Sequence, residues 1–150
     1  MARKALKLTE KKIADMIQAG RSQGEGADYQ PWIQVGNFSS EGRGHRIADI
    51  HTGRIHHFFS DLEASYYYIL AWADQVIDIR EQYPLFPVSD TEDITQALGY
   101  RHPRAPGNAI NEVMTTDFLI TVQDASGTHL EARHVKYEKG LEKTKRNRKT

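Results

Sequence analysis

The chain contains no cysteine and no long apolar run. Without cysteine among its 150 residues, it has neither a disulfide framework nor a zinc site built on thiolates. No stretch approaches the roughly 18 apolar residues of a membrane-spanning helix, and the basic N-terminus is not followed by the apolar segment of a secretory signal. These absences predict an intracellular protein without a membrane span. Its length fits one domain of ordinary size.

The net charge is zero, but the charges are unevenly distributed. Residues 1–12 carry five basic residues against one acidic residue (+4), and residues 136–150 carry seven against two (+5). The body from 13 to 135 carries 8 basic and 17 acidic residues (−9). Affinity for duplex DNA comes mainly from neutralised phosphates, so a DNA-binding protein of this kind would depend on its ends or on partners. The alternative is that both ends are solvated tails.

Periodicity and capping residues divide the chain into helices and strands. Thr9 and Ser60 are favourable N-caps, and Gly20 ends the first helix. The predicted helices cover residues 10–19, 61–73 and 89–98. The predicted strands cover residues 32–36, two segments of 46–59 that turn at Thr52-Gly53, and residues 75–85, 116–122 and 128–137. This order predicts an α/β or α+β domain in which helices flank a mixed β-sheet.

Large aromatic residues are predicted to build the core. The segment 61–73 is apolar on nearly every face, which is typical of a buried helix. Aromatic side chains bury large apolar areas. The core is therefore interpreted as including Trp32, Trp72 and the run Tyr66–Tyr68.

A set of titratable residues suits phosphodiester hydrolysis. Asp117 begins one predicted strand, and His134 and Lys136 share a face near the end of its hairpin partner. Glu63 lies in the first turn of the apolar helix, where a carboxylate is costly to bury without a partner. Two carboxylates can hold Mg²⁺, which prefers oxygen ligands. A lysine beside them can stabilise the charge of the transition state or orient the attacking water.

Each of these residues also has a simpler structural interpretation. Glu63 can be a helix-start carboxylate stabilised by the helix dipole. Asp117 can be a strand-start residue, and Lys136 an edge lysine that prevents unwanted strand pairing. Residue types and spacing alone do not decide between the two interpretations.

Several segments, taken together and in this order, resemble one family. They are GRSQGEGADYQPWIQV, GHRIADIHTGRIHHFFSDLE, VIDIREQYPLFP, MTTDFLI and HVKY. Over residues 8–137 they are similar to the N-terminal catalytic domain of the TnsA family, the endonuclease subunits of Tn-seven-type heteromeric transposases. The combination of HTGRIHH, SDLE and DIREQYPL is specific for this family, whereas none of these motifs would be specific alone.

The resemblance implies a restriction-endonuclease-like catalytic domain over residues 1–137. It implies that Glu63, Asp117 and Lys136 are the catalytic residues, and that Glu63, Asp117 and the backbone carbonyl of Val135 bind Mg²⁺, with Mn²⁺ as a substitute. The implied substrate is double-stranded DNA at the transposon ends, cut on the 5′ strands. The implied partners are an integrase-type transposase subunit, which cuts and joins the 3′ ends, and an ATP-dependent regulator, all in the bacterial cytoplasm.

The chain departs from the family pattern near its end. His134 stands where the family has glutamine, and an imidazole can ligate metal but favours softer ions than Mg²⁺. Glu138 and Glu142 do not align convincingly with a further family carboxylate. Residues 138–150 are interpreted as a basic tail or as the start of a helix or domain that continues elsewhere.

The sequence is also compatible with two other functions. The chain can be a stand-alone restriction-like nuclease in defence or repair. It can also be a catalytically silent module that docks DNA or a transposition regulator through its basic ends.

Three further residues have alternative interpretations. His56 and His57 are neighbours on a strand, so they face opposite ways and cannot share one metal ion. One is expected to pack inward and the other to meet solvent or DNA. Arg80 follows the Glu63 helix on the next strand, where it either supports the metal site or forms a structural ion pair.

Overall fold

Helices and strands alternate along the chain, as their sequence order predicts. A computed structural model describes residues 8–36, 42–105, 107 and 110–141. Its helices are α1 (Glu10–Gln18), α2 (Asp61–Trp72) and α3 (Val88–Ala97). Its strands are β1 (His45–Ala48), β2 (Ile55–Phe58), β3 (Val76–Pro84), β4 (Thr115–Asp124) and β5 (Gly127–Arg133). Thr9 and Ser60 cap α1 and α2 with their side chains, as predicted.

The strands form two antiparallel sheets. Strands β1 and β2 pair as a hairpin, and β3, β4 and β5 form a three-stranded sheet in that order. The α/β content with flanking helices is therefore confirmed. All strand pairings in the described ranges are antiparallel, whereas the sequence predicted a mixed sheet. The hairpins β1–β2 and β4–β5 have connections of only a few residues, which can join antiparallel strands but not parallel ones.

The main core lies between α2 and the strands. Helix α2 buries the side chains of Ala64, Tyr67 and Leu70, which recur at helical spacing on one face. They pack with Phe58 of β2 and with residues of β4 that alternate toward the helix, namely Phe118, Ile120 and Val122. Helix α2 and strands β2 and β4 therefore share one apolar core. The N-terminus of α2 lies at the edge of this core.

The opposite face of α2 is exposed, contrary to the sequence prediction. Trp72 is 84% exposed, Ile69 66% and Tyr68 52%, so neither Trp72 nor Tyr68 is a core residue. The reason is that the sheet covers only one side of the helix. Tyr67 is buried and Tyr66 packs against the main core, as predicted.

The predicted strand at residues 32–36 is also wrong. This segment consists of bends around the single bridge residue Val35. Trp32 is completely buried in a second cluster with Leu8, Met16, Ala105 and Val113. Its backbone N–H donates to the carbonyl of Gln82, 3.3 Å away. Burial of the indole was predicted correctly, but it anchors a loop rather than a strand.

Within the described ranges, no helix has the length and apolar character needed to cross a bilayer.

Candidate active site

Glu63 is fixed at the start of α2 by reciprocal capping bonds. The Ser60 hydroxyl accepts from the Glu63 N–H at 3.1 Å and donates to Glu63 Oε1 at 3.0 Å. The N–H of Phe59 donates to Glu63 Oε2 at 3.2 Å. Serine followed three residues later by glutamate is the pattern of a capping box. The structural role considered for Glu63 is therefore real, and it also holds the carboxylate in one place.

The surroundings of Glu63 disfavour its charge. Burial raises the pKa of Glu63, and the nearby negative charge of Asp117 raises it further, while bonds from Phe59, Ser60 and Gln82 act in the opposite direction. The two carboxylates therefore interact electrostatically, although 54 residues separate them in the sequence (117 − 63). A cation between them would relieve both the desolvation and the repulsion.

Asp117 is held by the segment that follows β5. It is a half-buried residue near the start of β4. Its Oδ2 accepts from the backbone N–H of Val135 at 2.8 Å. The Nδ1 of His134 lies at the same distance from the same oxygen. Two consecutive residues thus orient this carboxylate.

Strand β5 ends earlier than the sequence predicted. It stops at Arg133, so His134, Val135 and Lys136 do not continue the ladder. The physical reason is the Asp117 side chain, which accepts the Val135 N–H in place of a ladder carbonyl. The predicted alternation of His134 and Lys136 on one strand face is therefore wrong. His134 nevertheless meets Asp117, as the sequence predicted.

Lys136 lies beside a short helical turn formed by residues 138–141. Its side chain packs over Gly140, where a Cβ would come within 2.9 Å of Lys136 Cε. Gly140 therefore makes room for the lysine stem. The catalytic role of Lys136 and the metal-binding role of the Val135 carbonyl stay predictions. Glu142, which the sequence also raised, lies outside the described residues.

Arg80 forms the structural ion pair that the sequence analysis considered. Its Nε lies 3.4 Å from Asp78 Oδ2, and its guanidinium lies 5.5 Å from the ring centre of Tyr83. Its Nη1 lies 3.9 Å from Glu25 Oε1. These contacts fix Arg80 within β3 and its neighbours, and a supporting role at the metal site stays a prediction.

A buried charged network lies next to Glu63. Glu81 is completely buried, and both of its carboxylate oxygens accept from Arg54 at 2.9 Å. His56 Nδ1 lies 2.9 Å from Glu81 Oε2, and the N–H of His57 donates to Oε1 at 3.0 Å. Burial alone would raise the pKa of Glu81, but the bonds from His56 and Arg54 outweigh it and lower the pKa. The network ties β2 to β3, and the His56 ring contacts Tyr67 of α2.

The two histidines face opposite ways, as predicted. His56 is 3% exposed and belongs to the buried network. His57 is half-buried, and its Nδ1 accepts from the N–H of Val35 at 3.1 Å, so it holds a loop. Burial lowers the pKa of His57.

The donor set at Glu63 and Asp117 suits a hard divalent cation. In the part of the chain that the structure describes, no three His, Asp or Glu side chains are grouped closely enough to hold a metal by themselves. Magnesium is commonly bound by one or two carboxylates, with water and phosphate oxygens completing its shell. Whether Glu63 and Asp117 bind such an ion stays a prediction.

Comparison with known proteins points to one family. The family model "TnsA-like endonuclease N terminal" matches residues 73–150, just over half of the chain. The transposon Tn7 transposition protein TnsA of Escherichia coli is 46% identical over 124 residues. That alignment covers 83% of this chain but 44% of the relative, so the chain spans less than half the length of that protein.

Proposed function

The chain belongs to the TnsA-like endonuclease family, and we propose that it is the magnesium-dependent DNA endonuclease subunit of a heteromeric transposase. Its proposed reaction is cleavage of the 5′ strands at the transposon ends during cut-and-paste transposition, in the bacterial cytoplasm. The observation that carries the proposal is the pairing of the Glu63 and Asp117 carboxylates at the edge of the core. Two observations support it: Gln82, which lies across from Asp117 in the β3–β4 register, donates to Glu63 Oε2 at 3.1 Å, and the charge of Asp117 raises the pKa of Glu63.

Glu63 and Asp117 would hold Mg²⁺, or Mn²⁺ in its place, with the Val135 carbonyl as a further donor. When bound, such an ion lowers the pKa of a water molecule and stabilises the leaving oxygen. Ser60 and the N–H of Phe59 keep the Glu63 carboxylate in position. The ammonium group of Lys136 would stabilise the charge that develops on the scissile phosphate.

His134 is proposed to orient Asp117 rather than to ligate metal through Nδ1. This nitrogen lies 2.8 Å from Asp117 Oδ2, a distance typical of a charge-assisted hydrogen bond. Carboxylate ligands are commonly held by such hydrogen bonds. The His134 side chain would thus provide a polar contact that fixes the Asp117 carboxylate.

Partner subunits would supply the DNA affinity that the acidic body lacks. The proposed partners are an integrase-type transposase subunit and an ATP-dependent regulator. The exposed apolar row on α2 supports a partner-dependent role, because Tyr68, Ile69 and Trp72 form the type of surface that binds other proteins.

A strand-specific cleavage assay tests this proposal. Duplex carrying a transposon end is labelled on either strand and incubated with the chain alone, with the partner transposase alone, and with both. We expect 5′-strand cleavage only with both present, because the acidic body binds duplex weakly. Equal cleavage by the chain alone would identify a stand-alone nuclease instead. No 5′ cleavage under any of the three conditions would identify a docking module and contradict the proposal.

A further inference from the structure

Gln82 has an unusual backbone conformation for a residue inside a strand. It lies in β3, yet its φ is +48°. Among the described residues other than glycine, only Ser22 shares a positive φ, at +69°. This left-handed region disfavours side chains with a Cβ, and such strain often marks functional sites.

The Gln82 side chain contacts the start of α2. Its neighbour Glu81 bonds His56 Nδ1 and the N–H of His57 in β2. The Nε2 of Gln82 donates to Glu63 Oε2 in the first turn of α2, at 3.1 Å. Two consecutive residues of β3 therefore bond two successive elements of the chain, β2 and α2.

Gln82 also stands opposite Asp117. The β3–β4 register pairs Glu81 with Phe118 and Tyr83 with Thr116, which places Gln82 across from Asp117. The Gln82 carbonyl accepts from Trp32 N–H instead of from β4. The β3–β4 pairing is thus interrupted at Gln82, opposite Asp117. Gln82 is itself 6% exposed, so its amide is committed to this site.

We propose that Gln82 is a positioning residue that holds the Glu63 carboxylate against Asp117 for metal binding. This inference rests on the proposed function. The strained backbone is maintained because it allows the Gln82 amide to donate to Glu63. The same residue lies across from Asp117 in the neighbouring strand. Ser60 and Phe59 hold Glu63 from the helix side, and Gln82 holds it from the sheet side.

The test uses Gln82→Gly in the assembled complex with its partner transposase. Glycine adopts a positive φ without strain, which offsets part of the stability lost with the Gln82–Glu63 bond, so this variant is expected to fold and to unfold at a urea concentration close to that of the wild type. Its half-saturating Mg²⁺ concentration for 5′ cleavage should rise about 10- to 100-fold, the usual effect of losing a residue that supports a metal ligand. The KM for DNA should stay unchanged.

The matched control is Ser22→Gly, which relieves the other positive φ away from the site. We expect wild-type metal dependence for it. A crystal structure of Gln82→Gly gives a readout independent of activity, in which Glu63 is expected to have moved away from Asp117. An unmoved Glu63 together with wild-type metal dependence would overturn the proposal.

Parallel assay of Asp117→Asn separates this inference from the proposed function. If Asp117→Asn is inactive and Gln82→Gly behaves as wild type, only the positioning role fails. If Asp117→Asn also cuts normally, the proposed function itself fails.

Discussion

Replacing Asp117 with asparagine is expected to abolish 5′-strand cleavage while leaving the domain folded. Asparagine keeps the shape and a carbonyl oxygen that can still accept from the Val135 N–H, but it removes the negative charge that a cation needs. Bound metal contributes several kcal/mol to transition-state stabilisation, so we expect a loss of about a thousandfold or more. The measurement is single-turnover cleavage of labelled end DNA by the assembled complex.

The control for this variant is Asp124→Asn, an identical change at the exposed end of the same strand. It should cleave like the wild type, because Asp124 is the last residue of β4 and accepts from the N–H of Ser126 in the turn that follows. Urea unfolding of both variants should give free energies within about 1 kcal/mol of the wild type, since single hydrogen bonds contribute about that much. Normal cleavage by Asp117→Asn would remove Asp117 from the active site.

Replacing Arg54 with alanine is expected to be the most destabilising change among the charged residues discussed. Glu81 would stay completely buried without its bidentate partner, and the bond from Arg54 to the Ile79 carbonyl would also be lost. Breaking one side of a buried ion pair costs about 3–5 kcal/mol. The measurement is the free energy of unfolding from urea titration followed by circular dichroism.

Arg43→Ala provides the comparison, because Arg43 also pairs with a carboxylate but at the surface. The Arg43 side chain is 75% exposed and that of Asp61 54%, and exposed pairs of this kind contribute little. The double variant Arg54→Met/Glu81→Leu removes both buried charges and should recover part of the stability lost in Arg54→Ala. Recovery is incomplete because His56 and the N–H of His57 lose their bonds to Glu81. Equal unfolding free energies for Arg54→Ala and Arg43→Ala would show that the buried network does not stabilise the fold.

Local features of the fold were predictable because they depend on neighbouring residues. The caps at Thr9 and Ser60 mark the starts of α1 and α2, and the hairpin turns follow from short polar connections. The sequence predictions were wrong where tertiary contacts determine the local structure. Trp72 is exposed because the sheet covers only one side of α2. Residues 32–36 form a loop because Trp32 is anchored in the second cluster.

The candidate site was predictable only in part. The family resemblance predicted Glu63 and Asp117 as site residues, and in the structure the charge of Asp117 raises the pKa of Glu63. Gln82 was missed because its role depends on a backbone conformation that no sequence pattern reveals. The buried pair of Arg54 and Glu81 was missed because 27 residues separate its members (81 − 54). The available signal was the polar run Arg80-Glu81-Gln82 in a strand that otherwise has only one charged residue, Asp78.

The most direct test of the account is a calorimetric titration of Mg²⁺ and Mn²⁺ into the complex of this chain, its partner transposase and end DNA. The titration is made with the wild type and with the Asp117→Ala and Glu63→Gln variants. Glutamine at position 63 retains the capping-box pattern, so helix α2 is expected to form. The account predicts one saturable site on this chain that both variants lose. Unchanged metal binding in both variants would contradict a metal centre at Glu63 and Asp117.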